Sequence, residues 1–280
     1  MCRWLAYSGD PLQISRVVLD TKHSLVAQSL NSPLGAETVN GDGFGLGWYG
    51  PSRDPGDAPA VFHSIEPAWH DENLRELAQA VESQLFFAHV RAAAGPPIQQ
   101  TNCHPFRYGR WLFMHNGAIA GFAAMKRELL LEVAPEFFLG IRGTTDSELV
   151  FHLALTHGLM DEPIEAMART LRRIEEAGRA HGVTAAVQGT FAVTDGATVW
   201  AFRYSSEHRS RTLFHSEDID VLRAMYPDFE RLRVFGTRAR LIVSEPLNDL
   251  PGAFIEVPES TAVVVTPDGA YEHQPFLAPA

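Results

Sequence analysis

The sequence has little of several things, and each shortage excludes something. Two cysteines, Cys2 and Cys103, occur in 280 residues. That is too few for a disulfide framework, and in a reducing compartment a bridge between them is not expected. No Cys-x-x-Cys and no His-Glu-x-x-His spacing is present, so the twelve histidines do not by themselves argue for metal. His152 and His157 are five apart and do not stack on one helix face. No metal and no other cofactor is expected. No run of five basic residues exists: Arg238 and Arg240 are isolated and Arg172-Arg173 is only a pair. With a net charge of −11, this disfavours nucleic acid as a partner. No apolar run approaches the roughly 18 residues of a membrane span. Charges and Gly9-Asp10-Pro11 interrupt the N-terminus before a signal peptide could form. The expectation is a cytoplasmic protein that acts on a small molecule, with no membrane and no nucleic acid involved.

What remains is an ordinary globular composition, 45% hydrophobic and 20% charged, with no internal repeat and no low-complexity tract. The length suits one large domain or two small ones. Neither the breaker-rich loop 50–57 nor the loop 94–97 is long enough to link domains, so one domain over 1–280 is expected. Short apolar runs bounded by Gly, Pro or Asn predict strands at 1–7, 43–49, 60–65, 84–91 and 110–115. Helices are predicted at 71–83, 146–158 and 162–181. In the last of these Ile164, Met167, Ala168, Leu171 and Ile174 recur at helical spacing. Strands resume at 188–194, 197–204, 212–216, 232–236, 239–243 and 260–266, with hairpin turns at Asp195-Gly196 and Asp268-Gly269. Strands, then helices, then strands indicate two antiparallel sheets with helices packed outside.

The second residue is the most informative one. If Met1 is removed, the chain begins with a cysteine that carries a thiol and a free α-amine. Their reference pKa values are about 8.5 and about 8, so both exchange protons near neutral pH. An amine beside its own thiol can activate it for attack on a carbonyl.

Four further segments carry possible chemistry, and each also has a purely structural explanation. Asn40-Gly41-Asp42-Gly43-Phe44-Gly45-Leu46-Gly47 is either a glycine-rich turn into a strand or a backbone approached closely by a ligand. Arg91, at the end of the apolar strand Phe87-Ala88-His89-Val90, is either a solvated strand end or a bidentate clamp for a carboxylate. Asn116-Gly117, after the strand that ends His115, is a strong hairpin signal. The same turn could aim the Asn116 amide and the Gly117 N–H at one point, as an oxyanion hole requires. Thr145-x-x-Glu148 reads as a capping box, and Asp146 in the first helical turn suits the helix dipole; a functional Asp146 would bind an ammonium group. Together these supply a nucleophile, a carboxylate clamp, an oxyanion hole and an ammonium acceptor. That set matches a substrate with an α-amino acid head and a scissile side-chain amide, namely glutamine or a γ-glutamyl compound.

Taken in order, Cys2, Gly41-Asp42-Gly43-Phe44-Gly45, His89-Val90-Arg91, Asn102-Cys103-His104-Pro105-Phe106, His115-Asn116-Gly117 and Thr145-Asp146-Ser147-Glu148 resemble the class II glutamine amidotransferases. These are N-terminal-nucleophile hydrolases. The resemblance covers the first 160 residues, and later strands, with Ile242-Val243-Ser244-Glu245-Pro246-Leu247, look similar to stand-alone members. It implies an α+β fold, a four-layer αββα sandwich. It implies that Cys2 attacks the amide carbon, that its α-amine is the base, that Asn116 and Gly117 hold the oxyanion, and that Arg91 and Asp146 bind the substrate's carboxylate and ammonium. His115 and Thr145 complete the candidate substrate-binding set, with His104 and His115 also readable as packing groups and Cys103 as a buried structural residue. No synthase-sized segment follows residue 280, which resembles stand-alone relatives such as the γ-glutamyl amidohydrolase of ergothioneine biosynthesis. A separate synthase that receives ammonia, or a homo-oligomer, remains open. A non-catalytic γ-glutamyl-binding protein and an acylase of the wider group are the competing readings.

Overall fold

The computed structural model describes residues 2–32, 39–51, 57–93 and 95–277. Met1, most of the 50–57 loop and Ala94 lie outside them. The chain starts with β1 (Arg3–Gln13), α1 (Ser15–Val18), α2 (Leu25–Leu30), β2 (Phe44–Trp48), β3 (Ala60–Ser64), α3 (Glu72–Ala80) and β4 (Glu82–Val90). It continues through β5 (Phe106–Tyr108), β6 (Trp111–Ile119), α4 (Phe122–Glu132), α5 (Pro135–Phe138), α6 (Asp146–Thr156) and α7 (Pro163–Ala180). The last third holds β7 (Val187–Thr194), β8 (Val199–Ser205), β9 (Phe214–Ser216), α8 (Ile219–Met225), β10 (Arg240–Val243), β11 (Phe254–Glu256), β12 (Thr261–Val265) and β13 (Tyr271–Pro275).

Among the described residues, one sheet has the order β11-β9-β10-β1-β4-β2-β3 and the other β13-β12-β8-β7-β6-β5. Every pairing is antiparallel. The side-chain alternation of the strands sorts the core into layers. Leu5, Tyr7, Phe86 and Ala88 of the first sheet pack on Val17, Leu25 and Leu74 of α1, α2 and α3. Their neighbours Trp4, Ala6, Leu85 and Phe87 face inward, against Leu112, Met114, Ala192 and Ala201 of the second sheet. On its other face that sheet presents Phe113, Phe191 and Phe202 to α4, α6 and α7. The result is the α+β sandwich of two antiparallel sheets between helical layers.

Local chemistry explains the elements. Asp71 caps α3 by accepting from Leu74 N–H at 2.8 Å, and Leu74 and Ala78 bury one face. Pro163 starts α7, where its missing N–H costs nothing. Asp195 Oδ1 takes the N–H groups of Ala197 and Thr198, and Gly196 at φ 88° closes the β7–β8 hairpin.

Three sequence expectations change. The segment 232–236 is not a strand: a 3₁₀ helix spans Glu230–Val234 and buries Leu232 beside Phe229 and Phe235. Asn116-Gly117 is not a hairpin turn. β6 runs through it to Ile119, because β7 pairs along its whole length, with Asn116 opposite Thr190 and Gly117 opposite Gly189. Two facing glycines permit that approach: a Cβ on Gly117 would lie 2.0 Å from Gln188 O. Thr145 does cap α6, accepting from Glu148 N–H at 3.1 Å, but Glu148 does not reach back to Thr145. Its carboxylate takes the N–H groups of Arg142 and Gly143 at 2.8 and 2.7 Å.

Candidate active site

Cys2 lies one residue ahead of β1, half-buried. By the alternation of Trp4 and Ala6 it faces the gap between the sheets. Its Sγ is 3.7 Å from Ala92 O, just past Arg91. Burial pushes the thiol above its ordinary pKa; the Arg91 guanidinium pulls it down and the Asp146 carboxylate pushes it up. The thiol therefore senses both charged groups that the sequence singled out.

Arg91 is 3% exposed, an expensive place for a cation. Among the described residues its guanidinium donates to main-chain carbonyls, those of Asp42, Pro96 and Pro97, each at 3.3 Å. The strand end is fixed by Arg91 N–H to Gly43 O at 2.8 Å and Asp42 N–H to Arg91 O at 2.9 Å. The Asp42 carboxylate takes Ala93 N–H at 2.7 Å. The glycine-rich segment is thus a brace: Gly43, at φ 110°, leaves room for Cys103 Sγ, and Gly45 for His104 O.

Across the gap stands Asn116. It shares the inward face with Leu112 and Met114, is 2% exposed, and its Oδ1 has no hydrogen-bond partner among the described residues. Opposite it in the sheet, Thr190 accepts from Trp4 Nε1 at 3.1 Å. That bond joins the two sheets two residues from Cys2.

The direction of the Gly117 N–H follows from the ladder. In an antiparallel strand, alternate peptide groups point to opposite sides. Ala120 N–H bonds Ala186 O on the β7 side. His115 C=O instead accepts from His89 Nε2 of the first sheet at 3.3 Å, and Ile119 N–H donates to Asp146 Oδ2 at 2.9 Å. Gly117 lies between these two and points the same way, along an edge that β5 covers only as far as Phe113. An N–H turned away from β7 and an inward amide thus sit side by side without any turn.

Asp146, first residue of α6, spends Oδ2 on Ile119 N–H, while Oδ1 takes Ser147 N–H at 2.8 Å. The other two site candidates stand apart. The His115 ring turns to the helical side of its sheet, with Nδ1 2.9 Å from Ser147 Oγ and a stack on Phe191 at 4.5 Å. Thr145 Oγ1 is engaged as the cap of α6. Between the sheets, His89 stacks on His104 at 4.2 Å. Burial holds His89 down to about 3 and His104 well below its ordinary value, so both are neutral. Among the described residues no group of three or more His, Cys, Asp or Glu is placed to hold a metal ion, and no helix is long and apolar enough to cross a membrane.

Sequence reasoning missed Asn102 and the Arg3–Glu245 pair. Asn102 Nδ2 donates to Pro97 O at 2.9 Å and its Oδ1 accepts from Thr144 N–H at 2.8 Å. It ties the loop over Arg91 to the entrance of α6. Its place in Asn102-Cys103-His104-Pro105 was the available signal. Arg3 and Glu245 stand at opposite ends of the chain, and no local pattern links them.

The family model for class II glutamine amidotransferases matches residues 15–272. The chain belongs to this family. The chain is 34% identical over 291 residues to probable glutamine amidotransferase DUG3 of Saccharomyces cerevisiae, covering 95% of this chain and 82% of that one. It is 31% identical over 179 residues to the gamma-glutamyl-hercynylcysteine sulfoxide hydrolase of Mycolicibacterium smegmatis, covering 63% and 70%. Among solved structures, the chain resembles a glutamine aminotransferase class-II domain protein from Silicibacter pomeroyi, with a TM-score of 0.71, 30% identity, and coverage of 99% and 100%. The glutamine phosphoribosylpyrophosphate amidotransferase of B. subtilis, at TM-score 0.64 and 15% identity, shares the fold over 98% of this chain and 49% of its own. The chain is thus an amide-cleaving enzyme by family.

Proposed function

We propose that this enzyme hydrolyses the side-chain amide of glutamine or of a γ-glutamyl compound through a thioester on Cys2, in one domain that spans 1–280. What supports the reading is that the Cys2 thiol feels the charges of both Arg91 and Asp146, while Asn116 faces the same gap from the other sheet. Arg91 takes the substrate's α-carboxylate in exchange for main-chain carbonyls, and Asp146 takes the α-ammonium. The amide carbon then lies at Cys2. Burial keeps the thiol protonated at rest, so attack needs a base. The α-amine of Cys2, freed by loss of Met1, accepts that proton directly or through a water. Asn116 Nδ2 and Gly117 N–H stabilise the oxyanion. The amine or ammonia departs with the proton, and water hydrolyses the thioester through a second oxyanion. His115 and Thr145 support Asp146 from behind. The enzyme works in the cytoplasm on small molecules, without a cofactor.

Likeness to the gamma-glutamyl-hercynylcysteine sulfoxide hydrolase favours a γ-glutamyl amide over free glutamine. A glutaminase that hands ammonia to a separate synthase is the second reading, which the likeness to DUG3 supports. A panel of γ-glutamyl amides and glutamine, assayed with the purified enzyme and with Cys2→Ala, tests both. The expected result is turnover that Cys2→Ala abolishes, with the best kcat/KM on a γ-glutamyl amide. Full activity in Cys2→Ala, or intact mass showing Met1 retained in the active enzyme, overturns the mechanism.

A further inference from the structure

Arg3 sits on the opposite face of the sheet from the thiol. Leu5 and Tyr7, which share its face, pack toward the helices. It is 3% exposed, and so is Glu245. Arg3 Nε and one terminal nitrogen bind Glu245 Oε1 at 2.6 and 2.5 Å. The other terminal nitrogen donates to the carbonyl oxygen of Cys2 at 2.7 Å. The residues around Glu245 hold the same strand. Ser244 N–H donates to Trp4 O at 3.0 Å, and Ser244 Oγ accepts from Trp4 N–H at 3.1 Å. Gln28 Nε2 donates to Glu245 O at 3.3 Å.

A buried ion pair of this kind is a poor way to stabilise a fold. Apolar residues of similar volume often serve as well or better. Its contact with the Cys2 carbonyl suggests another use. A terminal residue hangs from one peptide link, and the orientation of that peptide plane decides where its Cα, and with it the amine and thiol, is carried. A hydrogen bond to its carbonyl oxygen fixes that plane.

We propose that the Arg3–Glu245 pair is a positioning device for the nucleophile, which fixes the Cys2 carbonyl and thereby aims the thiol and the α-amine at the substrate. This rests on Cys2 being the nucleophile. Arg3 touches no substrate from its side of the sheet and acts only through Cys2.

The test compares wild type, Cys2→Ala, Arg3→Lys and the double variant Arg3→Met/Glu245→Met. Each is followed by thermal melting and by steady-state kinetics on γ-glutamyl-p-nitroanilide and L-glutamine. The double variant removes both charges together and leaves neither unpaired. It is expected to melt near or above wild type and to lose about 100-fold in kcat, the scale on which small misplacements act, with KM within about threefold. Arg3→Lys keeps a cation for Glu245 but cannot also reach the Cys2 carbonyl through a planar fork; its kcat falls at unchanged KM. A folded double variant with wild-type kcat, or with its loss wholly in KM, overturns the positioning role. Should the double variant not fold, Arg3→Lys with native melting and unchanged kcat overturns it equally. Full activity in Cys2→Ala removes the nucleophile itself, and this outcome is distinct from the other two.

Discussion

The backbone N–H of Ile119 donates to Asp146 Oδ2 at 2.9 Å, which ties the end of β6 to the first turn of α6. The residue proposed to recognise the substrate's ammonium is therefore also the strap that holds the oxyanion strand. The two duties separate by substitution. Asp146→Asn keeps an oxygen for Ile119, loses the charge and gives up the acceptor for Ser147 N–H. A modest drop in melting is expected, while kcat/KM for L-glutamine falls about 10-fold or more, the scale of a lost charged hydrogen bond. The check is the preference for L-glutamine over its analogue lacking the α-amine, which is expected to vanish in the variant.

Asn116→Ala removes an amide whose Oδ1 has no partner among the described residues, so the fold loses little. The rate is expected to fall about 10²–10³-fold, the usual effect of deleting one oxyanion donor. Steady-state kinetics should show the loss in kcat, with KM nearly constant, and unchanged thermal melting excludes unfolding as the cause.

Gly117→Ala acts oppously in kind. Its Cβ would lie 2.0 Å from Gln188 O and 2.5 Å from Gly189 Cα, both main chain. The β6–β7 pairing must open, at or above the upper end of the roughly 1–3 kcal/mol of ordinary overpacking. A clear drop in melting temperature is expected together with lost activity.

His104 contributes to the pH dependence of stability. It and His89 are neutral in the fold, with His89 held down to about 3 and both lowered by burial. Unfolded histidine titrates near 6.5. Below that value the unfolded chain binds more protons than the folded one, so stability is complete above about pH 6.5 and falls as the pH drops toward 3. Each such histidine adds at most about 1.4 kcal/mol per pH unit to the slope. Neither ring nitrogen of His104 has a hydrogen-bond partner among the described residues, and the ring stacks between His89 and Phe106. His104→Phe is expected to fold and to flatten the fall of melting temperature between pH 6.5 and 4. A slope equal to that of wild type would refute this.

Much of the fold was legible because its signals are local. The helix over 72–80 announces itself by Asp71 and the Leu74–Ala78 spacing, and the β7–β8 hairpin by Asp195-Gly196. The segment 232–236 failed because Leu232, Val234 and Phe235 set between Arg231, Arg233 and Gly236 suit a strand or a 3₁₀ turn equally, and the burial of Leu232 with Val234 left exposed decides it. Asn116-Gly117 failed for a deeper reason. The dipeptide favours a turn by itself, but Gly189 lies opposite, and that fact belongs to a strand some seventy residues away. The candidate residues were readable as types, since an arginine at a strand end and an acidic first turn have plain chemistry. What holds them was not: His89 to His115 and Arg3 to Glu245 are pairings that only the folded sheets create.

The position of β1 bears on when its sheet can close. β1 lies between β4 and β10, with Leu5 paired to Ala88 on one side and Val243 on the other. During synthesis the second partner emerges roughly 240 residues after the first strand, which at about 5–20 residues per second is roughly 12–50 s. Through that interval one edge of the first strand has no neighbour. Arrival of the 240–245 segment then completes the sheet. The strand that follows Cys2 is thus among the last parts of the fold to be closed in, although it is the first to be made.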